Sequence, residues 1–178
     1  MTFQEDLEME QIIRLIGAIQ RAQENQIDRF AQANWNLTSG QLRLILSLIP
    51  GRAHRTLELA RRLYTDPGTV SGLLHRLTRK GLVTCRQSNR DRRVQLVSLT
   101  PAGERIRAEY QRRSRRELAP YRYAAMLSQE ERHQLLDCLT RYAAHLMGEE
   151  EAQSFLQLVE EVTRFEGPES SENVEKIS

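Results

Sequence analysis

Residues 56–100 read TLELARRLYTDPGTVSGLLHRLTRKGLVTCRQSNRDRRVQLVSLT, and the order of signals in this stretch decides the fold. Leu57, Leu59, Ala60 and Leu63 recur at helical spacing, which predicts a compact amphipathic helix over 56–64. Asp66-Pro67 opens a second helix. An aspartate there accepts from otherwise unpaired N–H groups of the first turn, and proline at the first helical position lacks only a donor that has no use. Val70, Leu73, Leu74 and Leu77 form its buried side, and Gly81 is placed to end it in the left-handed conformation. Two β-rich runs, 82–85 and 94–99, then flank the polar loop Ser88-Asn89-Arg90-Asp91-Arg92-Arg93. The predicted order is helix, turn, helix and a two-stranded wing.

Working outward, Leu7, Ile12, Ile16, Ile19, Ile27 and Phe30 predict a long amphipathic helix over 7–33, broken at Asn34-Trp35-Asn36. Thr38-Ser39-Gly40-Gln41 opens the next, with Leu42, Leu44, Ile45, Leu48 and Ile49 apolar and Pro50-Gly51 as its end. Beyond the wing, Thr100-Pro101 starts another long helix, and Pro120 forces a break near Ala119. The capping box Ser128-Gln129-Glu130-Glu131 opens a helix to about Met147, with Leu135, Leu136, Leu139, Ala143 and Leu146 predicted inward. A last helix over about 150–165 precedes a polar, acidic tail, 166–178, expected to be disordered. The fold class is mostly α with a small β wing: a winged helix-turn-helix domain over 38–100, between an N-terminal helix (1–37) and C-terminal helices (101–165).

A chain of 178 residues with 39% hydrophobic residues is long enough for a well-buried core. No apolar run approaches the roughly 20 residues of a membrane span, and residues 1–6 lack a signal-peptide pattern, so a cytoplasmic protein without membrane partners is expected. Two cysteines, Cys85 and Cys138, are too few for a disulfide framework. The net charge of +2 hides a strong asymmetry. Nine glutamates fall after residue 148, whereas residues 38–107 carry fourteen basic side chains against Glu58, Asp66, Asp91 and Glu104, a local excess of +10. All but two of the 26 basic residues are arginine, whose planar fork suits phosphates and guanine edges.

Such a patch neutralises phosphates and releases counterions. On the helix opened by Asp66, the side away from the apolar stripe carries Gly68, Thr69, Ser71, Gly72, His75 and Arg76. Small residues let a helix backbone approach base edges, where the hydrogen-bonding ones can read them. The wing loop fits a minor groove, whose negative potential attracts arginine, and Asp91 is close enough in sequence to orient Arg93. The candidate DNA-binding residues are Thr56, Pro67, Gly68, Thr69, Ser71, Gly72, His75, Arg76, Arg79, Arg90, Asp91, Arg92 and Arg93.

Three stretches carry a family resemblance: Leu37 to Gln41, Arg76 to Val83 (RLTRKGLV), and Asp91 to Gly103 (DRRVQLVSLTPAG). The chain resembles the multiple antibiotic resistance regulator (MarR) family over about residues 10–147, most specifically in the last of them. The resemblance implies a homodimeric transcription factor, a repressor that binds a pseudo-palindromic double-stranded operator, with 67–79 as recognition helix and Arg93, supported by Asp91, in the minor groove. It implies that both chain ends, 1–37 and 101–165, serve dimerisation, and that a small phenolic or anionic effector enters a cleft beside the DNA lobe. Many members have arginine where Gly72 stands and an acid where His75 stands, so operator preference is expected to differ. The extension past Met147 lies outside the family's usual extent.

Other constellations are weaker. His133 and Asp137 lie four apart on one helix but lack further metal ligands. Cys85, beside Arg86, is a redox candidate, although the family's peroxide sensors usually carry their cysteine in the first helix region, where this chain has none. Cys138 reads as core packing. Trp35, Tyr110, Tyr121, Tyr123 and Arg14 are candidates for the ligand cleft, with core roles as the plainer account. No phosphate loop or hydrolase motif occurs, so neither an enzyme nor a bound metal or cofactor is expected. The alternatives to a ligand-modulated regulator are a redox-sensing regulator through Cys85 and a protein-interaction winged-helix module.

Overall fold

The computed structural model describes residues 3–88, 91, 92 and 94–164. They divide into two compact units between Leu42 and Arg43. In the first, helix α1 spans Phe3–Trp35, a turn longer at its start than its apolar spacing predicts. Asn36 reverses the chain at φ 53°, a conformation that asparagine tolerates better than most residues. Leu37 N–H closes the helix end on the Ala31 carbonyl, and the Phe30 and Trp35 rings meet edge-on at 5.5 Å. Helix α2 (Ser39–Ser47) starts on a reciprocal cap. The Thr38 hydroxyl accepts from Gln41 N–H, the Gln41 side chain accepts from Thr38 N–H, and Asp28 takes the Ser39 N–H at 2.8 Å.

The second unit continues from α2 through strand β1 (His54–Arg55), α3 (Thr56–Arg62), α4 (Pro67–Arg79), β2 (Val83–Gln87) and β3 (Gln95–Leu99). Its core holds Leu44, Ile45, Leu48, Leu59, Val70, Leu77, Val83 and Val97, all essentially inaccessible to water. Burying each such side chain contributes about 1.5–3 kcal/mol. The α4 prediction is confirmed in detail: the Asp66 carboxylate accepts from Thr69 N–H at 2.9 Å, Pro67 occupies the first turn, and Gly81 follows at φ 69°.

The wing differs from the expected two strands. β3 is central in a three-stranded antiparallel sheet, ordered β1-β3-β2. His54 and Arg55 pair with Val97 and Leu96, while β2 runs from Val83 opposite Leu99 to Gln87 opposite Gln95. Two residues between a proline turn and a helix carry no alternation signal, so β1 exists only through pairing with β3. Leu57, part of the apolar spacing that predicted α3, is 56% exposed.

Helix α5 (Pro101–Glu117) is fastened to the foot of the wing. The Thr100 hydroxyl accepts from Gly103 N–H and donates to the Gly81 carbonyl at 2.7 Å, while Thr100 N–H donates to the Leu82 carbonyl at 3.1 Å. A Cβ on Gly103 would lie 2.2 Å from that Leu82 oxygen, so only glycine permits the approach. The chain breaks at Leu118, as Pro120 demands, before α6 (Ala119–Met126). The Ser128/Glu131 capping box opens α7 (Gln129–Met147), and Gly148 at φ 95° leads into α8 (Glu149–Arg164).

One expectation about α7 fails for the single chain: none of its residues is buried, and Leu135, Leu136, Leu139 and Leu146 are exposed. Cys138, expected in the core, is exposed too, its sulfur 3.6 Å from the Arg141 guanidinium. The amphipathic pattern marked the correct face but not whether this subunit covers it. The predicted tail, 166–178, lies outside the described residues.

Candidate nucleic-acid interface

The geometry of α4 follows from its wheel. Val70, Leu74 and Leu77 point to the core, which leaves Gly68, Ser71, His75, Arg76 and Arg79 exposed on the other side with Gly72 half-buried among them. Pro67 and Thr69 are exposed at its start, but Thr69 is already engaged, its hydroxyl donating to Asp66 at 2.6 Å. That hydrogen bond, with the one from Thr69 N–H, holds the Asp66 carboxyl below its usual range. Arg76 folds back along the helix and donates to the Gly72 carbonyl at 3.2 Å. The bare α-carbon of Gly72 leaves it room, since a Cβ there would meet the guanidinium only at 3.6 Å.

Around this face, Thr56 donates to the Gln95 side chain at 3.3 Å, tying the start of α3 to the central strand. At the wing tip, Ser88 N–H donates to the Val94 carbonyl and Val94 N–H to that of Asp91, which tightens the loop. Asp91 and Arg92 are exposed there. Arg90 and Arg93, and with Arg93 the expected link to Asp91, lie outside the described residues. The exposed helix face, the wing and a chain order of helix-turn-helix followed by sheet are those of a winged helix. Within it, residues 37–94 match the model of one family. That family is MarR, and the match spans these residues alone, about a third of the chain.

Two kinds of similarity stand beside the MarR-family match. Over 68 residues the chain is 34% identical to the organic hydroperoxide resistance transcriptional regulator of Bacillus subtilis (strain 168). That match covers 38% of this chain and 46% of the relative, less than half its length. The fold is similar to the transcriptional regulator BldR of Sulfolobus solfataricus, with TM-score 0.67 and 20% identity over 82% of this chain and 100% of that one. It is also similar to MepR of S. aureus in its DNA complex, with TM-score 0.68 and 22% identity over 75% and 96% of the two chains.

Not every basic residue near the MarR-family segment is available at the surface. Arg107, counted in the +10 patch, is 2% exposed, and its guanidinium donates to the Leu46 carbonyl. Arg62 is largely covered, donating to the Ser47 carbonyl at 3.1 Å and to Glu58 at 2.6 Å. Burial pushes the Glu58 carboxyl up, but Arg62 and His54 beside it bring it below the usual range.

His54, missed in the sequence, is fully buried behind this pair. Its Nε2 accepts from Ile49 N–H at 3.1 Å, and Nδ1 faces Glu58 Oε1 at 3.5 Å. Burial first, then the Arg62 charge, pushes its pKa down. The Glu58/Arg62 spacing of four was a readable signal; the histidine behind it was not, because only the β1 pairing buries it.

Cys85 is half-buried on β2, its sulfur 3.6 Å from the Thr78 hydroxyl at the end of α4. Asp137 pairs with Arg141 at 3.1 Å, and among the described residues no group of three or more His, Cys, Asp or Glu side chains is placed to hold a metal. The ligand-cleft candidates divide: Tyr110 is buried, Tyr121 and Tyr123 are exposed, Arg14 pairs with Glu10 at 2.6 Å, and Trp35 packs on Phe30. No helix among the described residues is long and apolar enough to cross a membrane.

Proposed function

We propose that this protein is a transcriptional repressor that binds a pseudo-palindromic duplex operator as a homodimer, in the cytoplasm, under control of a small phenolic or anionic effector. The observation that carries the DNA reading is the α4 face: Gly68, Ser71, His75, Arg76 and Arg79 are exposed, small or hydrogen-bonding, and beside an arginine-bearing wing. In this reading α4 enters the major groove, Thr56, Pro67 and Thr69 lie near the backbone, and Arg90, Arg92 and Arg93 reach the minor groove with Asp91 as their orienting acid. The DNA-bound state of the structurally similar MepR supports it.

Homodimerisation is supported by where the exposed apolar residues fall. Leu7, Ile12, Ile13 and Ile19 on α1, and Leu135, Leu136, Leu139 and Leu146 on α7, are too many to leave facing water. A second subunit covering each of these faces would remove them from solvent.

Selection of bound sequences from random duplexes, followed by titration at several salt concentrations, tests this function. A dyad-symmetric site and a steep fall of affinity with salt are expected. Failure to bind any duplex at low ionic strength would favour the protein-interaction module instead.

A redox reading has one observation in its favour. Cys85 touches α4 through Thr78, so oxidising its sulfur would disturb the helix proposed to read DNA. The relative in Bacillus subtilis is named for organic hydroperoxide resistance. Peroxide should then release DNA from the wild type and leave the Cys85→Ser complex intact.

A further inference from the structure

Helix α8 lies beyond the matched residues, and it folds back toward α3 and the segments on either side of it. Its first turn is Glu149, Glu150 and Glu151, and Glu160 and Glu161 follow near its end. Glu161 Oε1 accepts from Arg52 Nη1 at 2.8 Å, and its other oxygen lies 3.9 Å from Arg62. Toward the start of α8, the Phe155 ring meets Tyr64 edge-on at 5.6 Å and Ala152 is buried. Tyr64 belongs to the turn of the helix-turn-helix, where its φ is 49°.

The contact is not a packed core. An open groove of about 1150 Å³, lined by Arg55, Arg61, Glu149 and Glu150 among others, runs between the two helices. Glu161 and Arg52 are each about half exposed, so their attraction is weak and screened by salt. An acidic helix whose contacts with the basic segments include a salt-sensitive pair, a distant pair, a ring edge and the small buried Ala152 can come away without unfolding the domain beneath it.

We propose that α8 is an autoinhibitory arm: its carboxylates occupy the basic side of α3 that duplex phosphates also attract, so that docked arm and bound DNA exclude one another. In a helix-turn-helix the first helix crosses the DNA backbone, and the exposed Arg52, Arg55 and Arg61 sit on or just before α3. The inference rests on the DNA-binding reading above. It adds an internal competitor, supplied by the same chain, that sets how much of the basic surface is available.

The test uses the full chain. Duplex affinity by fluorescence anisotropy and amide exchange over 149–164 are measured for wild type, Phe155→Ala, Glu161→Gln and, as a charge-matched control, Glu130→Gln. Phe155→Ala and Glu161→Gln should each bind about threefold to tenfold tighter, as expected for the loss of a modest surface contact. Exchange of α8 should speed up in both, and in the wild type when duplex is added. The control should bind and exchange as wild type. Faster exchange without tighter binding overturns the competition, as does α8 remaining equally protected in the DNA complex or a control that gains as much as Glu161→Gln. Unchanged exchange in both variants overturns the docking contacts. If no form binds any duplex, the DNA reading fails and the competition with it, while the exchange data alone still report whether Phe155 and Glu161 hold the arm.

Discussion

His54 shows how a single side chain ties stability to pH. Its Nε2 accepts from a buried N–H, so protonation there would set two donors against each other within the core. Because burial and Arg62 depress its pKa in the folded state, the unfolded chain takes up a proton first as pH falls below 6.5. Its contribution is therefore full above 6.5 and lost below it, at no more than about 1.4 kcal/mol per pH unit. Thermal melts from pH 7.5 to 5 should show a fall beginning near 6.5 that flattens in His54→Gln; an unchanged slope would count against it. Gly103→Ala should cost about 1–3 kcal/mol, since the new methyl meets a backbone oxygen that cannot move aside cheaply. Gly81→Ala should cost about 1–2 kcal/mol through its left-handed backbone alone. Denaturant titration separates both from wild type, and a silent Gly103→Ala would contradict the tight approach.

Among the elements, α4 offers a separation of folding from recognition. Gly72 has helical backbone and room for a methyl, so Gly72→Ala should stabilise the domain by about 0.5–1 kcal/mol. The same methyl stands on the face proposed to approach base edges, so duplex affinity should fall as the melting temperature rises. A variant that gains both would move Gly72 off the interface. Arg76→Ala should lower affinity in a sequence-dependent way, whereas a uniform loss across duplexes would make it a phosphate contact. What was legible in α4 was local: an aspartate, a proline, a stripe and a closing glycine each act within a turn. Strand β1 was not legible, because nothing in His54-Arg55 specifies a strand until β3 arrives. The leucines of α7 were misjudged for a related reason. Periodicity names a helix face without naming what lies opposite.

For the assembled protein, the same limit becomes a prediction about copies. Leu136→Glu or Leu139→Glu places a charge on the exposed apolar face of α7 and should leave each chain folded but monomeric by sedimentation. Affinity for a two-half-site operator should then collapse toward that for a single half-site; a dimer that persists would move the interface away from α7. The exposed face of α4 was readable from its apolar stripe and turn chemistry. The cost of Arg107 to the surface patch and the Arg52–Glu161 ion pair were not, because both join residues more than fifty positions apart. Charge counted along a chain overstates charge displayed on a surface.

The seam at Thr100 and Gly103 has a mechanical meaning. With its hydroxyl, its N–H and a sterically closed glycine all seated against Gly81 and Leu82, the start of α5 is spliced to the wing's root without slack. Whatever tilts that long helix therefore pulls directly on the turn where the recognition-helix candidate hands over to β2.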